Sequence, residues 1–216
     1  SNDKLSEVVL SKLPPYYRDI ANRQLMARKQ FLFMSSLRPK PDLLPAWKII
    51  NPKPAYLLLK FYKKAEKLYG IDWEILAAIN LVETGLGRIS GNSIANAQGP
   101  MQFLPSTWEE TGVGMGGDIT SPHDSILAAA RYLVKRGALK DINKGLWGYN
   151  NSSYYGKAVL EYASLLKEDP RSFNGFYHWE IHFNSSKGDI WLPVGYSQKN
   201  SISISSYLKQ FPSRAS

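Results

Sequence analysis

A carboxyl group at the end of an apolar helix is the feature of this sequence that most clearly offers chemistry. Glu83 follows residues 75–82, which are apolar apart from Asn80, and Gly85 and Gly87 come soon after it. A helix that is apolar on all sides belongs inside a domain, and glycines commonly end helices. Because an unpaired carboxylate is costly to bury, such a group takes a raised pKa. Glu83 is therefore a candidate general acid, and the alternative is an exposed helix end without a function.

The helix that carries Glu83 has a predicted start at Asp72. The carboxylate of Asp72 can accept hydrogen bonds from the first turn, and Glu74 suits the positive end of the helix dipole. At 3.6 residues per turn, Glu74 lies about 900° before Glu83 and so on the opposite side of the helix. Glu74 is therefore excluded as a second catalytic carboxylate. Four further acidic residues cannot be placed from the sequence: Glu109, Glu110, Asp118 and Asp124.

Four short motifs follow one another along the chain: Glu-Thr at 83–84, Gly-Pro-Met-Gln at 99–102, Ala-Ala-Arg-Tyr-Leu at 129–133 and Gly-Tyr-Asn at 148–150. Together they resemble the signature of the soluble lytic transglycosylase family, the SLT-like group of the lysozyme-like superfamily. The chain has Thr for the family's Ser, Pro for its Leu and Gly for its Ala. The resemblance covers residues 72–166. The C-terminal tail is similar to those of Gram-positive or actinobacterial members.

The resemblance implies a mainly α, lysozyme-like catalytic domain with its cleft beside Glu83. The implied substrate is peptidoglycan, cut between N-acetylmuramic acid and N-acetylglucosamine without water. Glu83 would first protonate the glycosidic oxygen, while the acetamido group of the sugar stabilises the oxocarbenium-like centre. Glu83 would then take the proton of the muramyl primary hydroxyl, which closes an anhydro ring. One carboxyl group suffices for this reaction, whereas most glycosidases use two.

The remaining motif positions acquire roles by the same resemblance. The Thr84 hydroxyl and the Tyr149 phenol would orient Glu83 or contact the sugar, and Gln102 would hydrogen-bond N-acetyl or hydroxyl groups in the cleft. Asn150 is expected to bind glycan or to shape the cleft wall.

For three further motif positions, a structural role is expected either beside a contact with the glycan or alone. Tyr132 is expected to bind glycan or shape the wall, and Met101 is expected to pack beneath the site. Core packing alone explains both residues equally well. Gly99 is expected to permit an unusual backbone angle.

The composition limits the class of protein and its partners. A chain of 216 residues, 44% of them hydrophobic, can form one sizeable core with appendages. Without cysteine it has no disulfide or thiolate metal site, and we expect no metal and no cofactor. The net charge of +9 favours polyanions. Because RNP, helix-turn-helix and zinc signatures are absent, we expect no nucleic acid. The resemblance implies peptidoglycan glycan strands as the partner, and the charge adds anionic wall polymers as a second candidate.

The expected location is extracytoplasmic, either secreted, in the cell wall or anchored outside the cytoplasm. No apolar run approaches the roughly 18 residues that span a bilayer, and no signal peptide is evident. Ser1-Asn2 resembles the remnant of a cleaved tag, so an export signal or membrane anchor upstream would have been removed. We expect a monomer.

Three regions are expected along the chain. Residues 1–54 contain two helices, at 4–13 and 17–33, and a connector at 35–54 with five prolines that either wraps the domain or is a linker. The second helix is amphipathic and would pack on the domain or on a partner. Residues 55–170 form the transglycosylase domain. Residues 171–216 form a C-terminal β-hairpin and a tail packing on the domain, with the last dozen residues frayed.

Within the domain, the pattern predicts helices at 55–69, 72–84, 121–137, 140–146 and 153–167. Ser106 is expected to begin a short helix with a capping box, Ser121 and Ser153 are expected to cap two others, and residues 112–118 form a glycine-rich loop without a P-loop ending.

The C-terminal hairpin is expected from strands at 176–183 and 190–194. Alternation places His178, Glu180 and His182 on one face of the first strand, as a metal face or, more simply, a polar outer face.

Three functions remain open from the sequence. A lytic transglycosylase accounts for all four motifs. A hydrolytic muramidase on the same fold would need a second carboxylate or a well-held water near Glu83. A non-catalytic wall-binding protein would be expected to have lost some of the motif residues, and they are intact.

Overall fold

The computed structural model describes residues 3–36 and 39–215 of the chain. The supposed tag remnant at Ser1-Asn2, part of the 35–54 connector and the last residue of the tail lie outside the described residues. The described residues are mainly helical, which confirms the expected fold class. They form ten α-helices: α1 Asp3–Lys12, α2 Pro15–Ser36, α3 Ala55–Tyr69, α4 Trp73–Thr84, α5 Pro105–Trp108, α6 Pro122–Lys135, α7 Ile142–Tyr149, α8 Ser153–Glu168, α9 Ser172–Tyr177 and α10 Ile204–Gln210.

The strands of the described residues are short and pair in three antiparallel couples, β1 with β6, β2 with β3 and β4 with β5. Their bounds are β1 Leu43–Leu44, β2 Lys48–Ile49, β3 Ile89–Ser90, β4 Ile181–Ser185, β5 Gly188–Leu192 and β6 Ile202–Ser203. The connector thus supplies β1 and β2, and it is extended chain that pairs with later parts of the molecule.

Helix α4 lies at the centre of the main core and packs against α3, α6 and α8. The run Leu76–Ile79 has no exposed surface, as its apolar sequence predicts. Asp72 precedes the helix as expected, but its side chain makes no capping bond. Its carboxylate instead accepts from Lys167 over 3.1 Å, and Glu66 Oε1 accepts the Trp73 N–H over 3.0 Å. A neighbouring helix therefore supplies the cap that the sequence assigned to Asp72.

Helix α2 packs antiparallel along α8, so of the two expected surfaces, the domain and a partner, it covers the domain. The guanidinium of Arg23 donates to the Ser164 hydroxyl over 2.5 Å and pairs with Glu161 and Glu168. Near the other end of α2, the ring of Phe33 lies 4.7 Å from that of Tyr154. The amphipathic helix is therefore part of the fold.

A second core lies between the connector, the β4–β5 hairpin and α10. It contains Leu44, Ile49, Ile190, Leu192 and Tyr207, each at most 2% exposed. The expectation of a frayed tail is therefore wrong. The apolar side chains of α10 are buried against the hairpin, which holds the tail in place.

Three local expectations need correction. The hairpin is present, but its first strand begins at Ile181, because residues 172–177 form α9. Ser152 caps α8 instead of Ser153, accepting the Tyr155 N–H over 3.4 Å. Leu104 precedes α5 without a side-chain cap, so the capping box at Ser106 is wrong, and Pro105 supplies the fixed φ of a first turn. The cap predicted at Ser121 is confirmed.

Candidate active site

The C-terminal end of α4 positions Glu83. Gly85 ends the helix at φ +60°, where its N–H bonds to the Leu81 carbonyl over 2.9 Å. A residue without a Cβ adopts this left-handed conformation at little cost, which is why the helix stops where the sequence predicts. Leu86 also has a positive φ, of 63°, and its side chain is buried. The chain therefore turns sharply away immediately after Glu83.

Glu83 is surrounded by protein, although its side chain keeps partial contact with solvent. Burial raises the pKa of its carboxyl from 4.5 to about 7, and a hydrogen bond from Tyr155 opposes that rise. The phenol of Tyr155, on α8, donates to Glu83 Oε1 over 2.7 Å. Because burial is the larger effect, a substantial fraction of the carboxyl is protonated at neutral pH.

Tyr149 lies next to this pair without bonding to Glu83. Its ring stacks on that of Tyr155 with the planes 6° apart and the centroids 6.3 Å apart. Its hydroxyl donates to the Met101 carbonyl over 2.8 Å. Burial, followed by the nearby charge of Glu83, raises the pKa of the Tyr149 phenol well above 10. Tyr149 therefore joins the end of α7 to the loop that contains the Gly-Pro-Met-Gln motif and remains a neutral neighbour of Glu83.

Thr84 is fully buried and holds that same loop. Its hydroxyl donates to the Pro100 carbonyl over 2.6 Å and accepts the Gly87 N–H over 3.0 Å. Both partners are main-chain groups: the Pro100 carbonyl belongs to the Gly-Pro-Met-Gln motif, and the Gly87 N–H follows the end of α4. These bonds leave the hydroxyl occupied away from Glu83, so the structure places Thr84 behind the site.

Asn80, one turn before Thr84, completes this polar cluster. Its Nδ2 donates to the Pro100 carbonyl over 2.8 Å, and its Oδ1 accepts from the Tyr62 hydroxyl over 2.6 Å. Asn80 has no exposed surface, yet these bonds satisfy its polar atoms. Its sequence signal was a single polar residue within an apolar helix.

Gly99 and Gln102 shape the loop through their backbones. Gly99 has φ +72°, and a Cβ placed on it would lie 1.9 Å from the Ile119 carbonyl oxygen, so a glycine is required here. Gln102 also has a positive φ, of 49°, and its Nε2 donates to the Gly99 carbonyl over 2.9 Å. Met101, between them, has no exposed surface. The expected unusual backbone angle at Gly99 is thus present.

Tyr132 and Asn150 lie at the far side of the site. The Tyr132 ring is 6% exposed and meets Tyr149 edge to face, and its hydroxyl donates to the Gly148 carbonyl over 3.0 Å. These contacts match the packing alternative for Tyr132. Asn150 is the partly exposed residue that ends α7. Of the expected substrate contacts, Gln102 and Asn150 therefore keep the most open polar side chains.

Tyr155 is the functional-site residue that the sequence analysis missed. It lies in none of the four motifs, and it is 1% exposed. Only its spacing could have indicated it, because it lies on the first turn of α8 beyond the Gly-Tyr-Asn motif. Without the packing of α8 against α4, nothing distinguishes it from its neighbour Tyr154.

His178, Glu180 and His182 do not share a strand face. His178 ends α9 and Glu180 precedes β4, so the face expected from alternation is wrong. Across the described residues, no group of three or more His, Asp or Glu side chains is arranged to hold a metal ion.

The comparisons with known proteins agree with the motifs. Residues 60–163 match the family model described as the Transglycosylase SLT domain, which confirms the resemblance for this part of the chain. Membrane-bound lytic murein transglycosylase F of Thiobacillus denitrificans is 34% identical over 88 residues, which are 40% of this chain and 18% of that protein. The chain thus spans less than a fifth of the length of this curated relative.

No solved structure gives a significant match to the chain. Within residues 3–36 and 39–215, no helix combines the length and apolar character that crossing a bilayer requires.

Proposed function

We propose that this protein is a peptidoglycan lytic transglycosylase with Glu83 as its single catalytic carboxyl group. The buried carboxyl of Glu83, with its pKa near 7 and its bond from Tyr155, carries the proposal. It is supported by the SLT match over residues 60–163 and by the name of the relative from Thiobacillus denitrificans.

The proposed reaction uses the carboxyl group of Glu83 twice, first as an acid and then as a base. Protonated Glu83 gives its proton to the oxygen between N-acetylmuramic acid and N-acetylglucosamine as the bond to the anomeric carbon breaks. The acetamido group of the muramyl residue stabilises the positive centre. Carboxylate Glu83 then removes the proton of the muramyl C6 hydroxyl, whose oxygen bonds to the anomeric carbon. The product is a 1,6-anhydro ring, Glu83 is protonated again, and no water is consumed.

A pKa near 7 suits both halves of this reaction. A general catalyst that must donate and then accept a proton is most effective when its pKa lies near the working pH. Burial provides the acid form, and the Tyr155 hydroxyl stabilises the carboxylate that forms after the first transfer. Tyr155 therefore acts as a positioning residue that is bonded to the reacting group.

The hydrolytic alternative is less well supported. A water-using enzyme would need a second carboxylate or a held water beside Glu83. Within the described residues, the raised pKa of Glu83 contains no contribution from another carboxylate. Glu74, the other acidic residue of α4, lies in the first turn at the opposite end of the helix. A wall-binding protein without activity would have no need for a buried, proton-bearing carboxyl at this place.

The other parts of the proposal follow from the substrate. Peptidoglycan lies outside the cytoplasm, so we place the protein there, as a monomer acting on glycan strands, with anionic wall polymers as a second partner for its +9 charge. Gln102 and Asn150 are proposed to contact the sugar. Thr84, Met101, Gly99, Tyr132 and Tyr149 hold the cleft in shape. The division into regions 1–54, 55–170 and 171–216 remains our proposal.

Digestion of purified peptidoglycan tests the proposal. The native protein, Glu83→Gln and Glu74→Gln are each incubated with the same wall preparation, and the muropeptides are weighed by mass spectrometry. We expect anhydromuramyl ends, one water lighter than reducing ends, from the native protein and from Glu74→Gln but not from Glu83→Gln. Reducing ends that require Glu83 would instead establish the muramidase, and the absence of products on several wall types would favour the binding protein.

A further inference from the structure

A long groove separates the N-terminal helices from the C-terminal hairpin, outside the residues that match the SLT family. We call it the helix–hairpin groove, and it encloses 1240 Å³. One wall is formed by α1 and α2, and the other by the end of α9 and by the hairpin. Along α2 it extends from Ala21 to Leu32, which is about 16 Å at 1.5 Å per residue. Its shape therefore suits an extended ligand.

The hairpin presents a polar face to this groove. Alternation along β4 and β5 places His182, Asn184 and Asp189 on the groove side. The opposite face belongs to the second core, through Ile181, Ile190 and Leu192. The polar face therefore has no role in the second core, and the groove is where its side chains can meet a ligand.

Two tryptophans border the groove, Trp47 from the connector and Trp179 from the segment after α9. Trp179 is 38% exposed, so part of its ring is open to the groove. The face of an aromatic ring carries partial negative charge and attracts the C–H groups of a sugar ring. Gln24 and Asn184 provide amide groups beside these rings. Apolar walls with a few placed polar groups are typical of a ligand site.

Among the described residues, the groove is lined by one cation and two carboxylates. Arg28 of α2 donates to Asp189 of β5 over 2.5 Å, from helix to hairpin, and Glu180 is the second carboxylate. A neutral ligand can lie beside the Arg28–Asp189 pair without replacing it. Because Arg28 is already paired and Glu180 adds negative charge, the groove favours neutral sugar rings over groups that carry negative charge.

The groove borders the loop of the Gly-Pro-Met-Gln motif through Trp47. The indole of Trp47 packs against Gly91, whose carbonyl accepts from Gln102 Nε2 over 3.4 Å. Trp47 Nε1 also donates to the Asn92 carbonyl over 3.4 Å. A strand bound in the groove would therefore lie beside the loop that contains Gln102.

We propose that the helix–hairpin groove binds the sugar rings of the glycan strand whose cleavage is proposed for Glu83. The inference rests on the proposed function, because that function supplies the identity of the glycan. It assigns a substrate contact to Trp47, Trp179 and Gln24, which lie outside the matched SLT residues 60–163.

Binding of a neutral probe tests the groove separately from catalysis. In the Glu83→Gln background, the affinity for the hexamer of N-acetylglucosamine is measured by calorimetry. Trp179→Ala removes one stacking face, and Gln24→Trp fills the groove from a helix surface. Trp147→Ala is the control, since Trp147 is 53% exposed on α7 and does not line the groove. Because Trp179 also packs on Phe176 and Tyr162, thermal unfolding of each variant checks the fold.

We expect Trp179→Ala to raise the Kd for the hexamer about tenfold, because one aromatic stack is lost. Gln24→Trp should raise it by a similar factor, because the indole occupies the space of a sugar ring, and Trp147→Ala should leave it unchanged. Unchanged affinity in Gln24→Trp, a variant that does not disturb the core, would overturn the proposal.

Cleavage of two substrates distinguishes failure of the groove proposal from failure of the proposed transglycosylase function. On peptide-free long glycan strands, Gln24→Trp in the otherwise native protein should raise KM about tenfold with kcat kept, while the increase should be smaller for a tetrasaccharide, which offers fewer sugar rings to the groove. If anhydro products form and Gln24→Trp changes KM equally for both substrates, the proposed transglycosylase activity stands and the proposed role of the groove is overturned. A penalty confined to peptide-bearing strands would also overturn it and assign the groove to the stem peptide.

Discussion

The Tyr155 hydroxyl and the Glu83 carboxyl meet over 2.7 Å across the packed helices α8 and α4, although the two residues are 72 positions apart in the sequence. Helix α8 runs antiparallel to α4, so its first turn lies beside the end of α4, and Lys167 near its last turn lies beside Asp72 at the start of α4. The bond opposes the effect of burial on Glu83. The geometry thus sets the pKa of the proposed catalytic group through two competing causes.

The first prediction concerns the pH dependence of cleavage. The first step needs protonated Glu83, so kcat/KM, which reports the ionisation of the free enzyme, should fall as the pH rises through about 7. Tyr155→Phe removes a bond that favours the carboxylate, and the pKa of Glu83 should rise further. We expect the alkaline limb of the kcat/KM profile to move to higher pH in this variant, measured on soluble glycan strands.

Tyr154→Phe is the matched control for that profile. It removes a hydroxyl from the adjacent tyrosine, which does not bond to Glu83, and should leave the alkaline limb in place. A downward shift of the limb in Tyr155→Phe would contradict the assigned hydrogen bond.

The second prediction concerns stability as a function of pH. The pKa of Glu83 is raised by folding from 4.5 to about 7, so the unfolded chain loses this proton first as the pH rises. The loss of folding stability that comes from ionising the buried carboxyl is absent below pH 4.5, grows up to pH 7 and is then constant. At pH 8, Glu83→Gln should therefore be more stable than the native protein by up to about 3 kcal/mol.

Urea unfolding at pH 4 and pH 8 measures this difference. The advantage of Glu83→Gln should disappear at the lower pH, where both side chains are neutral. An equal advantage at both values would indicate a packing effect of the amide and not the burial of a titrating carboxyl.

The third prediction concerns the hydroxyl of Thr84. Thr84→Val keeps the shape but leaves the Gly87 N–H without its acceptor and removes one donor to Pro100. A buried donor without a partner costs about 1–3 kcal/mol, so the free energy of unfolding should fall by that amount. Thr84→Ser keeps the hydroxyl and loses one methyl group, for about 1 kcal/mol. Chemical denaturation of both variants measures the two costs, and a larger loss in the serine variant would refute a role through hydrogen bonding.

The fourth prediction concerns the close approach at Gly99. Gly99→Ala would force a Cβ to within 1.9 Å of the Ile119 oxygen, so the loop with Met101 and Gln102 must move. We expect a loss of more than about 3 kcal/mol and a strong loss of activity. Gly112→Ala is the control, since Gly112 also has a positive φ, of 81°, but no atom within 4 Å of the added Cβ. Gly112→Ala should lower the free energy of unfolding by only about 1 kcal/mol, measured by differential scanning calorimetry. If Gly99→Ala and Gly112→Ala lowered it equally, backbone strain alone and not the close approach to Ile119 would explain the loss.

The errors of the sequence analysis lie where distant chain segments compete for the same groups. Asp72 has the type and position of a cap, yet Glu66 of α3 reaches the free N–H of Trp73 first. The predicted strand at 176–183 begins with Phe176 and Tyr177, but Phe176 packs into the helical core and both residues belong to α9. The serine-rich tail is ordered because Tyr207 of α10 fills the second core.

The sequence by itself determined the central helix, its end at Gly85 and the choice of Glu83. An uninterrupted apolar run, a glycine and the order of four motifs are local properties that survive without coordinates. Only the tertiary structure decided that Tyr155 holds the carboxyl, that Thr84 and Asn80 support the loop from behind, and that the helix–hairpin groove exists. Each of these depends on the packing of segments far apart in the chain, since burial and hydrogen-bond distance belong to the folded arrangement and no single stretch of sequence contains them.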